Sequence, residues 1–469
     1  MLILLLYNNT VSRARAYTLQ HLLCYHTIMS DILAVDVGTQ SLKAGIVDHD
    51  LKVKARRQVF YSAEIGSGTQ AEIDPELLWQ AFIDGCSGFN LDRKIEAVTF
   101  STLCPSLVAM SGDGKSMRPM ILHLDRRSHS QALWTLKRVG QERFLKITGN
   151  LPIPGGISLT SLLWIKENEP ALYNRRDVIF GHAVTFFLRR LTGKFFIDPS
   201  NASFTGLFET VKYGNWSSEL LRELKLSRSK LPEIIFSSTV VGKINRETAN
   251  ATGLPAGTPV VIGANDTTCA AVGAAIKESG DLMNTTGTVE SMVLCTDHPV
   301  IDKAHLLRTH AYPNRWLAMK VVGAGGGSIE WFRRTLCREL TREVFYNEYF
   351  PEVLKETTTP DARFLPYLSG DRHSIRQKTG AFTGLSLSTS REELLLSLAR
   401  GIASSQIAAL KKWRQKLSLP DSIFHVGGGA SQPYSEFKER LYKNYKFINK
   451  GETTLKGAAL LAFTALKKG

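Results

Sequence analysis

The chain has 469 residues, 43% apolar and 22% charged, with a formal net charge of +15, a length that suggests two or more domains with enough apolar residues to fill their cores. Its six cysteines, Cys24, Cys86, Cys104, Cys269, Cys295 and Cys337, are scattered without CxxC or metal-ligand spacing, and no HExxH motif or histidine cluster is present, which argues against a disulfide scaffold and a transition-metal site. No run reaches the roughly eighteen apolar residues that span a bilayer, so a reducing cytoplasm is the expected compartment and no membrane partner is expected.

Met1-Leu-Ile-Leu-Leu-Leu-Tyr7 is apolar, but no charged segment precedes it and Arg13 and Arg15 follow, so it makes a poor signal peptide. Met29 stands just ahead of the first strand, and residues 1–28 read as an extension upstream of the true start. Apolar runs at Ile32–Val35 and Ala44–Val47 then flank Asp36-Val-Gly-Thr-Gln-Ser-Leu-Lys43, the pattern of a β-hairpin. Here Gly38 lets backbone N–H groups approach an anion, Thr39 and Ser41 offer hydroxyls beside Gln40, Lys43 offers a positive charge, and Asp36 can hold a hydrated Mg²⁺. An ordinary Asp/Gly turn is the competing reading.

Strand-like runs near 95–100 and 106–110 precede helical stretches near 129–146, 159–168 and 182–192. Gly114-Lys115-Ser116 is not a Walker A motif, because position 109 is alanine. A domain break is expected near Arg246–Gly253. Beyond it the strand-like run 259–262 leads into Gly263-Ala-Asn-Asp266, and about twenty residues later Asn284-Thr-Thr-Gly-Thr288 forms a second small-residue turn ahead of a strand at 290–294. A base beside a phosphate cradle points to phosphoryl transfer to a hydroxyl. The alternative role for Asp266 is to cap a helix beginning near Thr267.

Two glycine clusters follow, Val321-Val-Gly-Ala-Gly-Gly-Gly-Ser328 before a helix at 328–340 and Val426-Gly-Gly-Gly-Ala430 before one at 434–443, with a long helix at 391–417 between them. Glycines at strand-to-helix junctions admit a nucleotide and present helix N–H groups to it, although tight strand-to-helix packing explains them as well. GxGxxG fails because Ser328 replaces the last glycine. Alternating strands and helices argue an α/β fold. The basic residues spread along stretches such as Arg333–Arg342 and Leu410–Leu417 with no nucleic-acid motif, so they read as a solvated surface that also helps attract an anionic ligand, and no nucleic-acid partner is expected.

Several segments match in order: Asp36–Lys43, Ala71-Glu-Ile-Asp-Pro75 with Trp79, Arg118-Pro119 before Asp125-Arg-Arg127, and Asp198-Pro-Ser-Asn-Ala-Ser203. They continue with Gly253-Leu-Pro-Ala-Gly-Thr-Pro259, Asp266, Gly287-Thr288, Phe364-Leu-Pro-Tyr-Leu-Ser-Gly370, Gly427–Ala430 and Gly457-Ala-Ala-Leu460. From about Asp31 to the C-terminus this set resembles the FGGY carbohydrate kinases, in the pattern of their xylulokinase-like members. The resemblance implies two ribonuclease-H-like (actin/hexokinase-type) α/β domains around a cleft, divided as 29–248 for sugar and phosphate binding and 249–469 for the catalytic aspartate and ATP.

It further implies ATP-dependent phosphorylation of a sugar or polyol hydroxyl, a ketopentose such as xylulose or ribulose, with Asp266 as general base and Mg²⁺ held through water by Asp36. The ATP phosphates fall to Gly38, Thr39, Gln40, Lys43, Gly287 and Thr288. The adenosine falls to Gly427, Gly428 and Ala430, with Gly323 and Gly327 over its other side, and the sugar to Cys104, Ser106, Asp125 and Arg127 with Asp266. A homodimer is compatible with it. Thr102-Leu-Cys-Pro-Ser106 replaces the Gln-Met-His-Gly segment of xylulokinases, Ser161 stands where lysine is usual, and Arg400 replaces a glutamate ahead of Gly401-Ile402. These departures leave open a kinase for glycerol or a larger ketose, and a non-catalytic nucleotide- or sugar-binding homologue.

Overall fold

The computed structural model describes residues 31–65, 69–89, 95–376 and 378–468, so the expected extension at 1–28 lies outside the described residues. Two six-stranded sheets organise the chain. The first runs Val240–Lys243, Pro259–Asn265, Ile95–Thr102, Asp31–Val37, Ser41–Val47, Val53–Phe60; the second runs Leu306–Thr309, Trp316–Val322, Glu290–Thr296, Leu282–Thr286, Ser422–Val426, Lys446–Asn449. In each, three antiparallel neighbours are extended on the side of the earliest strand by two parallel strands. Two copies of this pattern make the fold a pair of ribonuclease-H-like domains of the actin/hexokinase type.

The burial patterns explain the strand positions. Asp31–Val37 is buried at every residue and sits inside its sheet, covered on both faces. Val53–Phe60 places Lys54, Arg56 and Arg57 in solvent and forms the sheet edge, where charges discourage pairing with another chain. A helix that periodicity had not marked, Pro75–Cys86, begins where Asp74 accepts the Glu76 N–H and proline takes the first helical position. The helix expected at 129–146 is two helices, His129–Val139 and Gln141–Thr148, separated at Gly140. The long helix, Arg391–Arg414, opens on a capping box between Ser390 and Glu393. No helix among the described residues is long and apolar enough to cross a membrane.

The sheet topology moves the expected domain division. Strand Pro259–Asn265 lies parallel to Ile95–Thr102 in the first sheet, with Val260 opposite Val98 and Asn265 opposite Thr102. Asp266 therefore belongs to the first lobe, and the chain passes to the second sheet only between Gly273 and Leu282. The stretch Arg246–Gly253, read as a domain break, is helix Arg246–Thr252 with its Gly253 cap, and it lies between two antiparallel strands of one sheet.

The last helix, Thr454–Leu466, also returns to the first lobe, where it packs with Ile32, Ala34, Val47, Ala97, Val261 and Cys269. It meets helix Asp266–Gly273 at main-chain distance: a Cβ on Gly457 would stand 1.8 Å from the Cys269 carbonyl oxygen, and one on Gly273 would stand 1.9 Å from that of Thr453. Gly457→Ala is therefore expected to push the two helices apart and lower the unfolding free energy by about 1–3 kcal/mol. Gly451→Ala, where a Cβ meets nothing within 4 Å, is the control. Urea denaturation of both variants checks the contrast.

Candidate active site

Both small-residue turns open onto one cleft of ≈ 800 Å³ between the lobes. Asp36, Gly38, Thr39, Gln40 and Lys43 line it from the first sheet with Asp266, while Gly287, Thr288, Gly323, Gly427 and Gly428 line it from the second, and Cys104 borders it as well. Segments more than two hundred residues apart in sequence thus share one space.

The first turn is held by its own chain. Gly38 N–H donates to the Ser41 carbonyl at 3.0 Å, and the Tyr61 hydroxyl donates to the Gly38 carbonyl at 2.6 Å. Asp36 stands at its base, buried, with Oδ1 accepting from the Ser101 hydroxyl at 2.8 Å and Oδ2 lying 3.6 Å from Lys43 Nζ. Burial pushes its carboxyl up to about 6 against the opposing pull of Lys43 and Ser101, and the neighbouring Asp266 adds to the rise. Among the described residues no three His, Cys, Asp or Glu side chains gather into a metal cage. A single desolvated carboxylate at the base of an open glycine turn is a donor that suits Mg²⁺ arriving with phosphates and water.

The second turn rests on the protein interior. Gly287 N–H donates to the Val289 carbonyl at 3.0 Å, and the N–H groups of Gly326 and Gly327, at the start of helix Gly325–Leu336, donate at 3.0 Å to the Gly287 and Thr288 carbonyls. A Cβ on Gly326 would stand 2.4 Å from the Gly287 oxygen, so this glycine admits the turn itself. Beneath lies a fully buried ion pair, Lys438 Nζ to Glu290 at 2.7 Å. Lys438 also donates to Asn284 Oδ1 at 2.6 Å and Thr286 Oγ1 at 3.2 Å, and the Tyr434 hydroxyl donates to Glu290 at 3.2 Å. Such a pair holds its charges only while every member keeps its partner.

Asp266 is the first residue of helix Asp266–Gly273, and the cap is its neighbour: Asn265 Oδ1 accepts the Thr268 N–H at 3.0 Å. That leaves the Asp266 carboxylate facing the cleft, with Oδ1 accepting the Thr267 N–H at 2.6 Å. The capping role weighed for Asp266 is thus filled by Asn265.

Other residues singled out in the sequence fall elsewhere. Gly327 and Ala430 do not line the cleft, and neither do Ser106, Asp125 and Arg127. Asp125 is buried, accepts the Ala71 N–H at 2.9 Å and receives Arg127 Nε at 2.9 Å and Nη2 at 2.7 Å. Arg127 also reaches Glu72 at 2.8 Å and lies 4.9 Å from the Trp164 ring, so this pair braces the first lobe. Ser106 is buried and accepts the Ala183 N–H at 3.1 Å. Cys104 has its sulfur 3.6 Å from His182 Nδ1, and burial raises its thiol well above the usual range, which keeps it protonated.

The cleft also holds side chains that the sequence reading passed over, namely Tyr61, His123, Thr267, Arg308 and Arg372. Arg308 is 4% exposed on strand Leu306–Thr309, where Nη1 donates to Asn265 Oδ1 at 2.5 Å, Nη2 lies against Met319 Sδ and the guanidinium stands 4.3 Å from the Phe204 ring. Arg372 is 7% exposed, and among the described residues its guanidinium makes no hydrogen bond and no ion pair. Burial lowers both, Arg308 to about 10, with the Asp266 carboxylate opposing the fall. His123 is driven well down by burial and by Arg372 and Arg126, so it stays neutral. A lone arginine inside the apolar run Leu306-Leu-Arg-Thr309 was the available signal.

The raised Asp36 carboxyl has a stability consequence. In the unfolded chain it ionises near 3.8, in the folded one near 6, so ionisation costs the folded state more as pH rises from about 4 to about 6, reaching at most about 3 kcal/mol above that window. Asp36→Asn is expected to be more stable than the parent at pH 7.5 by about 1–3 kcal/mol, with the gain vanishing toward pH 4. Denaturant titrations across that range without added Mg²⁺ check it, and equal stability throughout contradicts the burial cost.

Residues 31–273 match the N-terminal domain, and residues 282–435 the C-terminal domain, of the FGGY family of carbohydrate kinases. The xylulose kinase of Staphylococcus xylosus is 27% identical over 415 residues, 86% of this chain and 83% of that protein. Among solved structures, ligand-bound xylulose kinase from Lactobacillus acidophilus superposes with a TM-score of 0.84 at 24% identity, covering 94% of this chain and 90% of that one. Gluconate kinase from Lactobacillus acidophilus gives 0.83 at 24% identity with the same coverage.

Proposed function

Since the chain belongs to the FGGY family of carbohydrate kinases and is an ATP-dependent sugar kinase, we propose that Asp266 is the general base that activates the acceptor hydroxyl. The observation that carries this reading is that the Asp266 carboxylate borders the same cleft as the two small-residue turns and Asp36. Its Oδ1 is committed to the Thr267 N–H, which fixes the carboxylate and leaves Oδ2 to accept the hydroxyl proton as the oxygen attacks the γ-phosphorus and ADP departs. Positioning and charge stabilisation supply most of phosphoryl-transfer catalysis. Gly38, Thr39 and Gln40 on one side and Gly287 and Thr288 on the other are suited to hold the phosphates between them. Gly427 and Gly428, with Gly323 opposite, leave room for the adenosine.

Mg²⁺, held through water by Asp36, would supply neutralisation of the phosphate charge. Lys43, 3.6 Å from Asp36, adds a positive charge at the same turn. The likeness to xylulose kinases brings xylulose and ribulose among the acceptors to compare.

Asp266→Asn keeps the shape of the side chain and removes its basicity. It is expected to lower turnover about 10²–10⁴-fold while ATP binding, read by calorimetry, and the melting temperature stay close to the parent's. Turnover near the parental value on the best acceptor takes Asp266 out of the mechanism.

A further inference from the structure

Arg308 and Arg372 bring two positive charges to the cleft, and the reaction described above uses neither. Both line the cleft together with Cys104 and Asp266; both charges act on the Cys104 thiol, and the Asp266 charge reaches both guanidinium groups. Among the described residues neither forms a salt bridge, and both have an Nε buried without a hydrogen-bond partner. Guanidinium groups withdrawn from water in this way call for an anion. The carboxylates of Asp266 and the buried Asp198 both act on Arg308, but neither pairs with a guanidinium: Asp266 Oδ1 takes the Thr267 N–H and Asp198 is tied to Ser200 and Asn201, so both arginines keep unmet donors. A neutral ketose or polyol offers only uncharged oxygens to those donors. A phosphate would bring nearly two negative charges next to Asp266 and the transferring group, whereas a carboxylate brings one, with two oxygens in the plane that suits a guanidinium fork.

Resting on the kinase reading above, we propose that the acceptor is a polyhydroxy carboxylic acid whose carboxylate is held by Arg308 together with Arg372, while a hydroxyl along its chain faces Asp266. That hydroxyl oxygen bonds to the γ-phosphorus, the bond from the γ-phosphorus to the bridging oxygen of ADP breaks, and the proton passes to Asp266. Arg308 is the discriminating side chain of the two. Arg372 lies near the nucleotide side as well, since a Cβ on Gly323 would stand 3.8 Å from its Cγ. Arg308 instead reaches Asn265, the residue before the base.

The test is ADP release by the full chain with ATP and Mg²⁺ across five- and six-carbon aldonates, the ketoses and alditols of equal carbon number, and sugar phosphates. The best aldonate is expected to exceed every neutral acceptor by about 100-fold in kcat/KM. Arg308→Gln should remove about that factor, chiefly by raising KM for the acid and much less by raising KM for ATP, and Arg308→Lys should recover part of it. Because Arg308 is buried, titration of the unaltered chain with an aldonate and with the alditol of equal length gives a second reading, in which only the acid is expected to bind. Equal binding of acid and alditol overturns the inference, as does better turnover of a ketose, an alditol or a sugar phosphate. An Arg308→Gln loss that falls equally on KM for ATP also overturns it, by assigning the guanidinium to the nucleotide. In these cases a neutral acceptor whose turnover still depends on Asp266 leaves the kinase reading standing, while no ADP release with any acceptor brings both down.

Discussion

The side-chain oxygen of Asn265 is the point on which the site turns. It accepts the Thr268 N–H that opens helix Asp266–Gly273 and, at the same time, the Arg308 guanidinium that arrives from the other sheet. The Asn265 main-chain N–H donates to the Ser200 hydroxyl, which is tied in turn to Asp198. One residue thus fixes where the helix starts, and hence where the Asp266 carboxylate faces, and joins the second lobe to the first at the same place. Without that oxygen a helix terminus and a buried guanidinium would both lose their acceptor, and unpaired buried donors are far more costly than a single hydrogen bond is stabilising.

The two small-residue turns at the cleft look alike in sequence and are supported by different physics. The first leans on a hydroxyl from the neighbouring strand end, Tyr61, and on a carboxylate whose burial raises its affinity for protons. The second leans on main-chain N–H groups from helix Gly325–Leu336 and on the enclosed Lys438–Glu290 pair. Gly326, part of a cluster that reads in the sequence as a place for a nucleotide, admits protein carbonyls instead. Gly427 behaves similarly, since a Cβ there would stand 2.4 Å from the Thr286 oxygen, yet it also borders the cleft. Close packing and ligand access are therefore two uses of one missing side chain, and spacing alone does not separate them.

Local signals carried the strands and turns, because alternation and turn chemistry act over a few residues. Ser106–Met110 and both hairpins were legible in that way. The lobe to which Pro259–Asn265 belongs was not legible locally, because it depends on a parallel partner more than a hundred and fifty residues earlier. Asp125 and Arg127 were read as sugar contacts from their place in a motif, but their charges are consumed by each other and by Glu72. Arg308 passed unnoticed for the converse reason: a single charge in an apolar run carries no pattern, and its meaning emerges only once the fold brings it to Asn265.

Helix Thr454–Leu466 covers the sheet that begins at Asp31, so the first lobe is assembled from both ends of the described chain, with the second lobe inserted between them. During synthesis the strands from 31 to 265 are made long before the helix that shields Ile32 and Ala34. Until its last stretch leaves the ribosome, the first lobe carries an uncovered apolar face, a surface prone to association and to chaperone capture. The second lobe, whose strands run from 282 to 449, has all of its sheet available earlier. The lobe that carries Asp266 is thereby the last to be completed, and the cleft gains its full support only once helix Thr454–Leu466 has been made.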